Sequence, residues 1–229
     1  MKPDNKLLYY VQMLDSALPI GSFSHSFGLE TYVQKGVIRN LDDLEKYIAA
    51  TLHASLAPFE GLAMKGMYTA LEQKDWKTYV HYDELIFTQR TARESREAIH
   101  KMGKRLLKLV KTLYPWMQLA QLEEALSKQG YGTLPAIHTY TAHQLGIGLH
   151  ETITGYLYTS VSMMVNSALR LMSMGQTQGQ QLIQQSIPQI EQAWKEVSAL
   201  PPEELHAHAW LQEIYEMNHE TLYSRLFMS

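Results

Sequence analysis

The chain has 229 residues, 45% of them hydrophobic and 19% charged, enough to bury a core without a disulfide or metal staple. It contains no cysteine, which excludes disulfides, thiolate metal sites and cysteine nucleophiles and fits a reducing compartment. A net charge of -3 makes the whole molecule no electrostatic match for nucleic acid or an anionic membrane.

In chain order, residues 1–8 lack an apolar run followed by a small-residue cleavage site, so the sequence predicts no secretory leader and a cytoplasmic location. A helix is expected over about Lys6–Ser16, and a second over Ser24–Lys35, with Gly36 at a left-handed C-terminal cap. Leu41, Leu44, Ile48, Leu52 and Leu56 form an apolar stripe behind an Asn40 cap, and Pro58 is expected just past that helix. Helices follow over Phe59–Gln73 and Trp76–Phe87. The run 90–111 places Ile99, Met102, Leu106 and Leu109 opposite Lys101, Lys104, Arg105 and Lys108, an amphipathic helix ended by Pro115. Further helices are expected over Met117–Gln129, Ala136–Leu145, His150–Met174, Gln178–Ala199 and Pro202–Leu222, punctuated by Gly130, Gly132, Pro135 and the Pro201–Pro202 pair. Strand-like alternation is almost absent, and no repeat or linker divides the chain. The expectation is an all-α fold, a single compact multi-helix domain of about ten helices spanning 1–229.

The stretch Thr152–Leu169 is uncharged and long enough to span a bilayer, but seven hydroxyl and amide side chains are spread along it, so a central helix of the core is the better reading. Charge is placed unevenly. Arg90, Arg93, Arg96, Lys101, Lys104, Arg105, Lys108 and Lys111 face only Glu94 and Glu97 over 90–111, whereas acids dominate 189–220. These are either two solvated faces or two oppositely charged docking surfaces.

Ten histidines invite a metal site. His143 and His150 are read as one helix face, about 10 Å apart, and His206 and His208 as opposite sides of a helix, so no intrachain tetrahedral set is expected. Gly103–Lys104 is followed by Arg105 rather than Ser or Thr, which excludes a phosphate-binding loop. Ser22, Ser24 and Ser26 lack the Gly-x-Ser-x-Gly elbow of a hydrolase. By composition the segment Leu18–Glu30 is a loop with a capped helix start.

That segment also carries the spacing D-x-x-L-P-x-G-x-x-x-H-S-x-G-L-E, with Asp15, Leu18, Pro19, Gly21, His25, Ser26, Gly28, Leu29 and Glu30 in register. It is followed by Arg90, Arg93, Glu94 and Ser95, by Arg170 with Gly175, Gln176, Gly179 and Gln180, and by His219, Glu220, Tyr223, Ser224, Arg225, Leu226, Phe227 and Ser229. These four blocks, in this order over nearly the whole chain, resemble the UreF family of urease accessory proteins. Met228 stands where that family commonly has arginine, and Phe27 where a small residue is frequent. The resemblance implies a homodimer without catalytic activity; no cofactor is expected, and the histidine spacing gives no metal site within one chain, though a site shared across a dimer axis escapes that argument. Such a protein would join the scaffold protein UreD (UreH in some species) to the GTPase UreG, for nickel insertion into apo-urease, and would modulate the GTPase. It also implies partner-binding roles for Pro19, Gly21, His25, Ser26, Gly28, Glu30, Arg90, Arg93, Glu94, Ser95, Arg170, Gly175, Gln176, Gln180, Tyr223, Arg225, Leu226 and Phe227. The competing readings are a nucleic-acid-binding module using the basic face of 90–111, an enzyme around His25 and Glu30, and a nickel store.

Two further expectations concern surfaces. Met163, Met164, Met172 and Met174 are either adaptable contact residues or core. Residues 223–229 are expected to be a partner-docking tail, because Tyr223, Leu226 and Phe227 around Arg225 are anchor-type residues; the alternative is that the tail folds back on its own chain.

Overall fold

Asn40 caps the third helix as its side-chain chemistry requires, its Oδ1 accepting the Asp43 N–H at 2.9 Å. Asp75 does the same for Thr78 at 3.1 Å, and Gly36 adopts φ +66° at the expected helix stop. A computed structural model of the chain describes residues 5–229. In order the helices are α1 Lys6–Leu14, α2 Leu29–Gln34, α3 Leu41–Thr51, α4 Leu62–Gln73, α5 Trp76–Thr88, α6 Arg93–Leu113, α7 Ala120–Gln129, α8 Leu134–Leu145, α9 Leu149–Leu171, α10 Gln176–Val197 and α11 Trp210–His219. Among the described residues there is no strand, so the all-α expectation holds.

The two innermost helices are α8 and α9. Almost every side chain of α8 is buried, and α9 packs on α8 and α10. The polar side chains that argued against a membrane span are absorbed locally, Thr152 and Ser160 donating to carbonyls four residues back. Among the described residues no helix is long and apolar enough to cross a membrane. Helix α6 lies against α8, closely enough that a Cβ on Gly103 would overlap the Gly132 carbonyl. Helix α4 packs on α5 and α8. Of the four methionines, Met164 is core, and Met163, Met172 and Met174 are half-buried against it.

Five local expectations are corrected. Pro58 does not end a helix: residues Leu52–Gly61 form a π-helical stretch that joins α3 to α4 in one continuous run, since a wider turn accommodates a ring that has no N–H. The helix expected over Ser24–Lys35 is instead a 3-10 turn at Ser22–Ser24, a bend, and the short α2. Residues 202–222 divide into a 3-10 turn at Pro202–Glu204, an extended segment and α11. His206 and His208 therefore lie off any helix with their rings 4.8 Å apart, and His143 and His150 sit on two helices either side of the Gly146–Gly148 turn.

Candidate functional site

The segment Leu18–Glu30 is bent by three residues in the left-handed region. Gly21 has φ +88° and Gly28 +85°, and Phe27 joins them at +49°. At Gly21 a Cβ would collide with the Arg105 guanidinium; at Gly28 it would sit 2.8 Å from Glu216 Cγ. Two successive left-handed residues turn their neighbouring amides inward. Ser26 N–H, at 2.6 Å, and Phe27 N–H, at 3.2 Å, converge with Ser26 Oγ, at 2.8 Å, on the Ser229 carbonyl oxygen. The Ser26 hydroxyl is thus committed to the far end of the chain, and α2 starts three residues later.

The tail folds back into this bend. Glu30, 1% exposed, accepts the Leu226 N–H at 2.7 Å and the Phe227 N–H at 3.1 Å. Met228 N–H donates to the Ser24 carbonyl at 2.8 Å, and His25 Nδ1 meets Ser229 Oγ at 2.9 Å. Burial, reinforced by Lys101 and Arg105, pushes the His25 pKa down to about 4. Phe227 is buried, with the Arg170 guanidinium 4.3 Å from its ring centroid, and Arg170 Nη1 donates to the Phe23 carbonyl at 2.6 Å.

Helix α11 is held by ion pairs and hydrogen bonds together with one aromatic contact, at Tyr215. Fully buried His219 has Nε2 3.0 Å from Glu30 and Nδ1 2.7 Å from Glu94, so each ring nitrogen faces a carboxylate. Glu94 also receives Arg225 Nη1 at 2.7 Å. Arg93 pairs with Glu220 at 2.9 Å, and Thr91 donates to Glu213 at 2.9 Å. Arg90 pairs with buried Glu60 and lies 4.0 Å from Glu216. Burial raises the Glu216 carboxyl above its ordinary range, with Arg90 and Ser95 pulling the other way. Tyr215 stacks on Tyr32 at 4.0 Å.

The structure therefore brings together Gly28, Glu30, Arg90, Arg93, Glu94, Ser95, Arg225 and Phe227 around α11, and Gly21, His25, Ser26 and Arg170 beside the tail. Pro19 lies in the loop before Gly21. Gly175, Gln176 and Gln180 sit exposed at the start of α10 and make none of these contacts. Tyr223 projects fully into solvent, and Leu226 and Met228 are more than half exposed. So Phe227 is occupied by its own chain, and the tail's outward apolar groups are Tyr223, Leu226 and Met228. Glu60 and Glu216 are network members the sequence reading left out, and His219 entered it only as part of the tail block, without a binding role. An acid or histidine on a helix does not announce a partner 30 to 189 residues away.

The same contacts turn α11 inside out. Its charged face, carrying Glu213, Glu216, His219 and Glu220, meets the body, while Trp210 (67% exposed), Leu211, Ile214 and Met217 face solvent. Among the described residues no cluster of three or more histidines or acids is placed to hold a metal ion.

The described residues form an all-helical body whose C-terminal tail closes on the bend at residues 24–30 and whose last helix leaves an apolar face uncovered. The comparisons with known proteins carry this to a family. The UreF family matches residues 38–187. The chain is similar to the urease accessory protein UreF of Lachnoclostridium phytofermentans, 39% identical over 227 residues that cover 99% of this chain and 100% of that one. It is also similar to the urease accessory protein UreF of Bacillus sp. (strain TB-90), 36% identical over 226 residues covering 98% and 100%. This chain belongs to the UreF family.

Proposed function

We propose that the chain is a non-catalytic, cytoplasmic adaptor of urease maturation that joins the UreD (UreH) scaffold to the GTPase UreG, modulates that GTPase, and so serves nickel insertion into apo-urease. The observation that carries the reading is the inverted α11. Four exposed apolar side chains on one short helix, continued by Tyr223, Leu226 and Met228, are the composition of a binding face rather than of a free surface. In this reading the α11 face and the tail receive the scaffold, and Arg93 and Arg225 hold the face in position. The chain is a homodimer. A groove between α1, α9 and α10, bordered by exposed Leu7, Val11 and Ile187, offers the apolar area for it.

The test is co-purification of the full chain with UreD and UreG, with light scattering on the isolated chain at tens of micromolar. The expected result is a dimer that captures both partners. The double variant Trp210→Ser, Ile214→Ser should keep its melting temperature within a degree or two, since the altered side chains touch little, and lose UreD. Capture of UreD at the wild-type level by that variant would refute the assignment of the face. Failure of the wild type to capture either partner would refute the adaptor reading.

A further inference from the structure

A second surface lies on the other half of α6. Lys101, Lys104, Arg105 and Lys108 follow at spacings of three, one and three, which puts them on one face over about 10 Å of helix. Some exposed helical lysines are paired within their own helix, as Lys46 with Asp42 at 2.6 Å and Lys128 with Glu124 at 2.7 Å. Lys101 has Glu97 at 2.9 Å. Among the described residues, Lys104, Arg105 and Lys108 have no carboxylate within ion-pair distance. The stripe ends against the loop of Gly21. Arg105 Nη1 reaches toward the Ile20 carbonyl at 3.5 Å, and the guanidinium fills the space that the missing side chain of Gly21 leaves. From the opposite side Arg170 holds the Phe23 carbonyl at 2.6 Å. The loop is thereby clasped between two arginines, and what it presents is the Phe23 ring, 72% exposed. Beneath the ring opens a cavity of about 110 Å³ lined by Ile20, Leu106, Asn166 and Arg170.

We propose that Phe23 and the Lys104–Arg105–Lys108 stripe form a second docking surface, for an acidic surface of a partner protein that pairs an apolar pocket with neighbouring carboxylates. An exposed aromatic ring on a loop held by two guanidinium groups, one of them part of a cationic stripe on α6, has the composition of a binding hot spot, and arginine forks match carboxylates in pairs. A protein fits better than nucleic acid. Four cations over one short stripe, with Glu94 and Glu97 at the next turns, offer no continuous track for a phosphate backbone, and a lone protruding ring calls for a pocket. The surface lies about 15 Å along α6 from Glu94, where α11 is anchored, so two partners can be held at once. This inference rests on the adaptor reading and supplies its second face.

The test uses the full chain with Lys104→Glu and Lys108→Glu together, and separately Phe23→Ser, with circular dichroism and light scattering to establish that each keeps fold and oligomeric state. UreD and UreG are the probes, at about 50 and 300 mM NaCl. The expected result is that UreD capture, which uses α11, is unchanged, while UreG binding falls at least about tenfold in each variant, and that wild-type UreG binding weakens at the higher salt. If the wild type captures both partners and the variants do so equally, the second surface is refuted and the adaptor reading survives. If the wild type captures neither, the adaptor reading fails and this inference with it. Tight binding of generic duplex DNA by the wild type, lost in the charge-reversed variant, would overturn the assignment in favour of a nucleic-acid face.

Discussion

Asp83 is fully buried and is satisfied four times over, by the N–H groups of Tyr131 at 2.7 Å, Gly132 at 2.8 Å and Thr133 at 2.9 Å and by Thr133 Oγ1 at 2.7 Å. It thereby pins the loop between α7 and α8 into the place where α6 passes at Gly103. Replacing it by alanine leaves three amides without an acceptor, two of them in bonds that are buried. At about 1–3 kcal/mol for each unsatisfied group, Asp83→Ala should cost about 3 kcal/mol or more, read as a shift in the urea midpoint. Asp83→Asn keeps two acceptor lone pairs and should cost less. From sequence this residue was one acid on a helix, because the three amides it serves lie 48 to 50 positions away.

At the scale of elements, α11 and the tail behave as one unit. His219 bridges Glu30 and Glu94, and Glu30 also accepts two tail amides. Deleting residues 223–229 would remove Phe227 from its site, leave the Glu30 carboxylate with fewer donors, and open the nest at Ser26 and Phe27. A loss of about 2–4 kcal/mol follows from one buried aromatic and the abandoned hydrogen bonds, with the melting temperature as the measure. His219→Ala would leave two carboxylates facing one another in the interior and should cost as much or more, together with faster proteolysis near Arg225. Intact stability after either change would mean that the fold-back contributes nothing. The sequence spacing anticipated that the tail was special. Its anchor-type composition was equally compatible with an external partner, and Phe227 proved to serve the chain itself while Tyr223, Leu226 and Met228 remain outside. Helix α11 was legible only as part of a helix over Pro202–Leu222 in an acid-rich stretch, and even a periodic pattern identifies two faces without saying which one turns inward.

For the molecule as a whole, two buried histidines set a slope with pH. Burial holds both His25 and His138 down to about 4, from an ordinary value of 6.5. The unfolded chain takes up these protons near pH 6.5 and the folded chain only near 4, so stability is lost as pH falls through that window, by about 2 kcal/mol for each histidine at pH 5. Glu216, whose carboxyl is raised by burial, acts with the opposite sign and gives up stability as pH rises. A melting temperature that falls steadily from pH 7.5 to 5 is expected, and His138→Gln should flatten the slope while preserving a donor toward the Thr152 carbonyl. A slope unchanged in that variant would remove His138 from the account.

The sequence by itself determined the helical build of this protein, the Asn40 cap, the left-handed stop at Gly36, and the breaks at Pro115 and at Gly130–Pro135. These depend on hydrogen bonds and steric limits that act within a few residues, so a local pattern contains them. Tertiary structure alone decided that Pro58 is carried through a π-helical run, that residues 25–28 bend instead of continuing a helix, and that α11 presents its apolar side outward. It also decided that His219 lies between Glu94 and Glu30, which precede it by 125 and 189 positions. The physical reason is the same in each case: a buried charge or a freed backbone group is satisfied by whatever partner the folded chain delivers, and a partner delivered from so far along the chain leaves no period or spacing in the sequence around it.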